Sequence, residues 1–266
     1  MVTIRMPPNP PAPLAGRLFL VPAPLDFGCQ HVSPLRDTMP DSTLLAASTL
    51  RHWVCENAKS LRAYLTRVHA VHPLAAPLQS LQIVELPREV HKKGDHLGVF
   101  DATPLLAPAR AGHDIGLASE AGMPAIADPG SSVVRAAHGL GLEVVPLVGP
   151  VSLMLALAAS GLNGQNFAFV GYLPADAAGR AQKARELVAL ARKTGQTQLF
   201  IETPYRNTAM LQTLLQTLAE NTRLAVSSGL TMAEARTFSA SIAQWRSQGS
   251  GRTPGNSTPA VFGIGP

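Results

Sequence analysis

Residues 115–160 read IGLASEAGMPAIADPGSSVVRAAHGLGLEVVPLVGPVSLMLALAAS. Ile115–Ser119 (IGLAS) is a short apolar run that enters the loop Glu120-Ala121-Gly122-Met123-Pro124 and then Asp128-Pro129-Gly130. Ser131 to His138 reads as a helix, Glu143–Leu147 (EVVPL) as the next strand, and Val151–Ser160 as a second helix. Pro150 stands just before that helix and Ser152 in its first turn, the arrangement of a helix start. Strand, Gly/Pro loop, helix, strand is the order of an α/β protein with largely parallel or mixed sheets.

The same alternation extends outward in both directions. Arg17–Val21 (RLFLV) is a strand that stops at Pro22 and Pro24, as expected where a first strand delivers a binding loop at its carboxyl end. Ala58, Leu61, Leu65 and Val68 recur at helical spacing until His72-Pro73 ends the pattern. Downstream, Phe167–Val170 is a strand, Gly179–Lys193 an amphipathic helix and Gln198–Glu202 a strand. Met210, Leu211, Leu214, Leu215 and Leu218 form a helical stripe, read as core. Ala225–Ser228 and Ala260–Ile264 complete the strands, with the Gly/Ser/Pro-rich stretch Gly249–Pro259 expected as a hairpin loop between them. The Val148-Gly149-Pro150 turn predicts a domain break, giving α/β domains over 16–148 and 151–266 behind a disordered Pro-rich tail, 1–15.

Composition narrows the function classes. Of 266 residues 46% are hydrophobic, which excludes wholesale disorder and leaves a compact enzyme-sized chain. The net charge of +5 favours phosphate-bearing partners, and 17 of the 22 basic residues are Arg, which suits bidentate phosphate contacts. The first fifteen residues lack the apolar region of a signal peptide. The apolar run Val144–Leu162 is cut by Pro146, Gly149 and Pro150, so no membrane span is expected. Cys29 and Cys55 have no CxxC partner and are expected as reduced thiols of a cytoplasmic protein. His69/His72 and His91/His96 lack a completing ligand set, so no metal is expected.

Several familiar site motifs are missing. There is no GxxxxGK[ST], no GxSxG and no HExxH, and Gly139-Leu140-Gly141 lies at a helix end rather than after a strand. Five small-residue or Pro loops at strand ends stand in their place: Pro22-Ala23-Pro24, Ala121-Gly122-Met123-Pro124, Gly149-Pro150-Val151-Ser152, Gly171-Tyr172-Leu173-Pro174 and Glu202-Thr203-Pro204. Glycine lets a ligand approach the main chain and proline stiffens the approach, so such loops suit a small polar, zwitterionic ligand held by backbone hydrogen bonds.

Ala118–Ser160 resembles the SDAGTPxxxDPG…VxPxPGPSAxxxALxxSG region of the tetrapyrrole methylase family, most of all the branch that methylates a ribose 2′-hydroxyl of small-subunit ribosomal RNA. Phe169–Pro174 (FVGYLP) is similar to FxGFLP, Ile201–Arg206 (IETPYR) to YESPHR, Leu20–Pro24 (LVPAP) to IVPTP, and Glu56-Asn57-Ala58-Lys59 to EDTR. The resemblance implies S-adenosylmethionine bound in a cleft between two α/β domains with mixed sheets, and a homodimer. It implies cofactor contacts from Pro22, Ala121, Gly122, Met123, Pro124, Ile126, Pro150, Val151, Ser152, Tyr172, Leu173 and Pro174. The implied partner is ribosomal RNA or the small ribosomal subunit.

A ribose hydroxyl is a poor nucleophile and gains from a base. Glu56, Glu120 and Glu202 are the carboxylates inside family-like motifs, and each is a candidate catalytic base. The alternative for Glu56 and Glu202 is a structural one, capping or pairing with Arg62 or Arg206. The chain departs from the ribosomal RNA pattern at Asp26-Phe27-Gly28 (for GNL), Asn57, Glu120 with Met123, and Ser228-Gly229-Leu230-Thr231-Met232 (for RELTK). These losses keep two alternatives open: a methyltransferase on a tetrapyrrole precursor or other small molecule, and a non-catalytic cofactor-binding paralogue.

Overall fold

The computed structural model describes residues 15–26, 29, 32–93, 95–96, 98–248, 252, 254–255 and 257–266. All but the last residue of the Pro-rich tail, and Phe27 and Gly28 of the loop after the first strand, therefore lie outside the described residues. The chain divides into two compact units. The first comprises residues up to Val21, Ser42–Glu120 and Pro124–Leu147; the second comprises Pro22–Asp41, Ala121–Met123 and Val148–Pro266. A single boundary near residue 148 would leave 22–41 and 121–123 with the first unit, whereas they group with the second.

Elements run in the order β1 (Leu18–Leu20), α1 (Leu35–Thr38), α2 (Asp41–Thr49), β2 (His52–Cys55), α3 (Ala58–His69), β3 (Gln82–Glu85) and α4 (Arg88–Lys93). Then come α5 (Ala107–Arg110), β4 (Ile115–Ala118), α6 (Ser131–Gly139), β5 (Val144–Pro146) and α7 (Ser152–Ser160). The chain ends with β6 (Phe167–Tyr172), α8 (Ala177–Thr194), β7 (Thr197–Glu202), α9 (Asn207–Thr217), β8 (Arg223–Ser228), β9 (Arg236–Ser241), α10 (Ile242–Gln248) and β10 (Ala260–Gly265). The α/β alternation is thus as expected. Strands β2, β3 and β9 are additions to the sequence reading: each has only four to six residues, and β9 (RTFSAS) is largely polar.

The first unit holds a wholly parallel sheet of order β3-β2-β4-β1-β5. Its inner strands β2, β4 and β1 are short, mostly apolar and largely buried, as expected of parallel strands covered on both faces, while the edge strand β3 (QIVE) is mostly exposed. Leu18, Val54, Ile115 and Leu117 join Val133 and Ala137 of α6 in one core. Gly116 is required in β4, since a Cβ there would lie 2.5 Å from the Trp53 ring of β2. Helix α3 starts at Asn57, whose side chain accepts from the Lys59 and Ser60 amides at 2.9 and 3.2 Å. It buries Leu61, Tyr64, Leu65 and Val68.

The second unit holds a mixed sheet of order β6-β7-β10-β8-β9, in which β6 and β7 are parallel and the rest antiparallel. Alternation along β10 sends Ala260, Phe262 and Ile264 to one face, where they meet Leu187 and Val188 of α8 and Met210, Leu211 and Leu214 of α9. Val261 points to the other face and meets Leu153 and Ala156 of α7. Each fully buried Leu or Phe in these layers contributes about 2–3 kcal/mol.

One expectation about this unit is corrected. The hairpin partner of β8 is β9, through residues 229–235, and the 249–259 stretch instead joins α10 to β10. Of that stretch residues 249–251, 253 and 256 lie outside the described residues. Among the described residues no helix is long and apolar enough to cross a membrane.

Candidate functional site

Three of the five loops meet inside the second unit. Ala23 and Gly122 exchange backbone hydrogen bonds in both directions at 2.9 Å, a one-rung antiparallel bridge between the first-strand loop and the loop after β4. A Cβ on Gly122, which has φ +71°, would lie 3.2 Å from Leu25 and 3.6 Å from the Pro150 carbonyl. A Cβ on Gly149 would lie 2.3 Å from the Pro22 ring. Pro22, Ala121, Gly122, Met123 and Pro150 are thereby brought into one neighbourhood, with Val151 and Ser152 at the start of α7. Val151, the N-cap, makes no side-chain hydrogen bond into α7; its carbonyl accepts from the Met154 and Leu155 amides, both at 3.1 Å, which leaves the Ser152 and Leu153 amides of the first turn for an acceptor.

The remaining expected cofactor residues sit elsewhere. Tyr172 ends β6 in the second unit and Leu173 and Pro174 follow it; Tyr172 is 56% exposed and Leu173 belongs to the core. The guanidinium of Arg206 donates to the carbonyls of Leu173 and Pro174, both at 3.3 Å. Pro124 and Ile126 belong to the first unit, Pro124 buried and Ile126 exposed.

The three candidate bases part company. Glu202 is 1% exposed; its Oε1 accepts from the Thr203 amide at 2.8 Å and its Oε2 lies 3.0 Å from the Arg206 guanidinium. That pair, with the Arg206 bonds to residues 173 and 174, makes Glu202 a structural anchor between β7 and the β6 loop.

Glu56 and Glu120, by contrast, come together in the first unit. Glu56 Oε2 accepts from the Glu120 amide at 3.3 Å, and Glu120 Oε1 accepts from the Ser60 hydroxyl at 3.3 Å. A third carboxyl joins them that sequence reading passed over as part of a turn, Asp128. Burial, and then the charges of Glu56 and Glu120, push its carboxyl up to about 7, against a smaller opposing pull from the Ser119 hydroxyl. An acid held near neutrality is suited to moving a proton. The motif Asp128-Pro129-Gly130 was the signal for it, but only the fold sets Glu56 and Glu120 near enough to act on it.

The loop that carries Asp128 is strained and clamped. Ala125 and Ala127 adopt left-handed backbone at φ 64° and 65°, a conformation costing about 1–2 kcal/mol for a residue with a Cβ. Its downstream end is gripped by Asp95, which accepts from the Gly130 amide (2.9 Å), the Ser131 hydroxyl (2.7 Å) and the Ser132 amide and hydroxyl (2.8 and 2.6 Å). Arg135 donates back to the Asp95 carbonyl. Nothing in the sequence near Asp95 signals this role.

Neither cysteine is a poised nucleophile. Neither is held in a disulfide; burial pushes Cys55 up to about 12 and also raises Cys29. His69 Nδ1 accepts from the Leu74 amide at 3.2 Å. Among the described residues no three His, Cys, Asp or Glu side chains gather as metal ligands.

Comparison with known proteins identifies relatives of this arrangement. The family model of the Tetrapyrrole (Corrin/Porphyrin) Methylases matches residues 48–245. The Ribosomal RNA small subunit methyltransferase I of Pseudomonas aeruginosa is 34% identical over 208 residues, covering 77% of this chain and 61% of the relative. The protein of the same name from Bacillus subtilis is 30% identical over 216 residues, covering 81% of this chain and 64% of the relative. The chain thus spans less than two thirds of the length of these curated relatives. The crystal structure of the methyltransferase CobJ superposes with a TM-score of 0.54 at 16% identity, covering 94% of each chain, a likeness of fold. With the family model spanning most of its length, the chain belongs to the tetrapyrrole (corrin/porphyrin) methylase family.

Proposed function

We propose that this chain is an S-adenosylmethionine-dependent methyltransferase with RNA as acceptor, through a ribose 2′-hydroxyl of small-subunit ribosomal RNA. The observation that carries the cofactor half is the convergence of Pro22, Gly122 and Pro150 beside the open first turn of α7. These residues fit the donor: stiff loops with backbone close to the surface suit a zwitterion with an apolar middle, and helix amides suit its carboxylate. Pro22, Ala121, Gly122, Met123, Pro150, Val151 and Ser152 would hold it, with Tyr172, Leu173 and Pro174 as further contacts. When bound, the donor supplies a methyl group on a sulfonium centre, open to in-line displacement.

The chain's own tasks are then alignment, exclusion of water and removal of the acceptor's proton. Asp128, with Glu56 and Glu120 beside it, is the preferred site for that proton, and Glu202 is assigned the structural role. The RNA acceptor is supported by the relatives' names, the net charge of +5 and the predominance of Arg. The same reading carries a homodimer and a cytoplasmic location as further expectations.

Calorimetric titration with S-adenosylmethionine and S-adenosylhomocysteine tests the cofactor half. Micromolar binding, about −8 kcal/mol, supports it, and no binding of either overturns it. Methyl transfer to small ribosomal subunits lacking the modification tests the acceptor. Cofactor binding with turnover only on a tetrapyrrole precursor, or with no turnover, points to the two alternative readings.

A further inference from the structure

A second feature of the second unit lies outside the cofactor loops. The hairpin of β8 and β9 pairs Val226 with Phe238 and Ser228 with Arg236, and β9 is the edge of its sheet. Alternation places Arg236 and Phe238 on one face of β9. These four residues form one wall of a cavity of about 580 Å³ whose other wall is the approach to β10, including Gly255 and Thr258. That wall is pinned from below, since the buried Asn207 amide donates to the carbonyls of Gly255 (3.0 Å) and Thr258 (2.8 Å). The Arg252 guanidinium lies over the Phe238 ring at 4.3 Å, and the ring is braced edge-on by Trp245 at 4.5 Å. Among the described residues, Glu234 is the only acid lining the cavity, against two arginines.

A guanidinium stacked on a fixed ring offers its outer plane to a nucleobase, and an exposed arginine beside it offers a bidentate donor to a phosphate. The cavity falls within the size range of small-ligand sites. A membrane surface or an acidic peptide has no use for a stacking platform. We propose that the Phe238–Arg252 stack and Arg236 form a subsite for single-stranded RNA, taking one base on the stack and its neighbouring phosphate on Arg236. This deepens the RNA reading above and rests on it. Bases in a duplex are already stacked, so the subsite selects unpaired RNA.

The test uses the full chain and a labelled, mixed-sequence RNA of about ten nucleotides, with anisotropy titrations over a range of salt. The double variant Arg236→Ala, Arg252→Ala is expected to bind at least about tenfold more weakly and to lower the slope of log affinity against log salt by roughly 0.7 per lost phosphate contact. Phe238→Leu keeps an apolar side chain against Trp245, and is expected to weaken binding about fivefold or more with the salt slope unchanged. A duplex of the same sequence should bind more weakly than the single strand. S-adenosylhomocysteine binding by calorimetry, unaltered in each variant, shows that the fold is retained. Unchanged RNA affinity in the double variant overturns the subsite, as does equal binding of duplex or no RNA binding by the parent chain. Loss of the cofactor reading alone would show as failed calorimetry with the RNA titrations intact, so the two failures are distinguishable.

Discussion

Asp95 and Ser132 are 37 residues apart in sequence and joined twice, the Asp95 carboxylate accepting both the Ser132 amide at 2.8 Å and its hydroxyl at 2.6 Å. With the Gly130 amide and the Ser131 hydroxyl on the same carboxylate, Asp95 caps the start of α6 from outside the helix. The natural N-cap, Gly130, has no side chain to do so. The clamp closes the strained loop that carries Asp128, so its removal should loosen both.

Asp95→Asn should therefore cost on the order of 2 kcal/mol in urea denaturation, since charge-assisted hydrogen bonds to a buried carboxylate are among the stronger ones. Burial alone would raise this carboxyl, but the Ser132 and Ser131 hydroxyls and the two amides outweigh it and hold it at about 2. A group depressed in the folded state contributes its stability above the unfolded value near 4, and loses it as pH falls through about 2. The parent chain should lose stability over that acid window and Asp95→Asn should lose less. Parallel acid-melting curves would contradict the assignment.

Asp128 has the opposite sign. Its folded value near 7 lies above its unfolded value near 4, so its contribution is full below pH 4 and is lost as pH rises through 7. Asp128→Asn should flatten the decline in melting temperature between pH 4 and 8. If Asp128 takes the acceptor's proton, single-turnover methyl transfer by the parent should rise through pH 7. The variant should then lose at least about a hundredfold in rate, the lower range for a general base. Melting curves unaffected by the substitution would exclude the buried-acid description.

Glu202, buried, and Arg206, partly exposed, form an ion pair whose disruption is costly from the carboxylate's side. Arg206→Ala leaves the buried Glu202 carboxylate with only the Thr203 donors and should destabilise by about 2 kcal/mol, and the double variant Glu202→Gln, Arg206→Gln should recover part of the loss. Glu202→Gln alone should change single-turnover methyl transfer by less than about threefold, because the carboxylate is assigned to structure rather than chemistry. A loss as large as that for Asp128→Asn would reinstate Glu202 as the base.

Gly149→Ala addresses the loops. Its Cβ would stand 2.3 Å from Pro22, a distance that backbone must move to relieve. The substitution should weaken S-adenosylhomocysteine binding by at least about tenfold while leaving the first unit's melting behaviour intact. Wild-type affinity by calorimetry would remove the 22/149 contact from the site.

Much of the fold was readable along the chain. Strands such as Phe167–Tyr172 and Thr197–Glu202 and helices such as Ala177–Thr194 carry their own apolar periodicity, a local property of side chains. Strand β2 was not legible, because HWVC is four residues long and is a strand only by virtue of lying between β3 and β4. Strand β9 escaped because its polar residues are tolerated at a sheet edge, where one ladder of hydrogen bonds to β8 suffices.

The sequence by itself determined the α/β alternation, the places where Gly and Pro break it into loops, and the family to which those loops belong. These follow from side-chain pattern and backbone restriction, which act over a few residues. Only the tertiary structure decided what the loop residues and carboxylates do. Pro22 reaches Gly149, Asp95 reaches Ser132, and Glu56 crowds Asp128, each across tens of residues or more. Among four acidic residues of similar intrinsic acidity, hydrogen-bond donors make Asp95 a clamp, a neighbouring guanidinium makes Glu202 an anchor, and burial with neighbouring carboxylates makes Asp128 the acid held near neutrality with Glu120 against it.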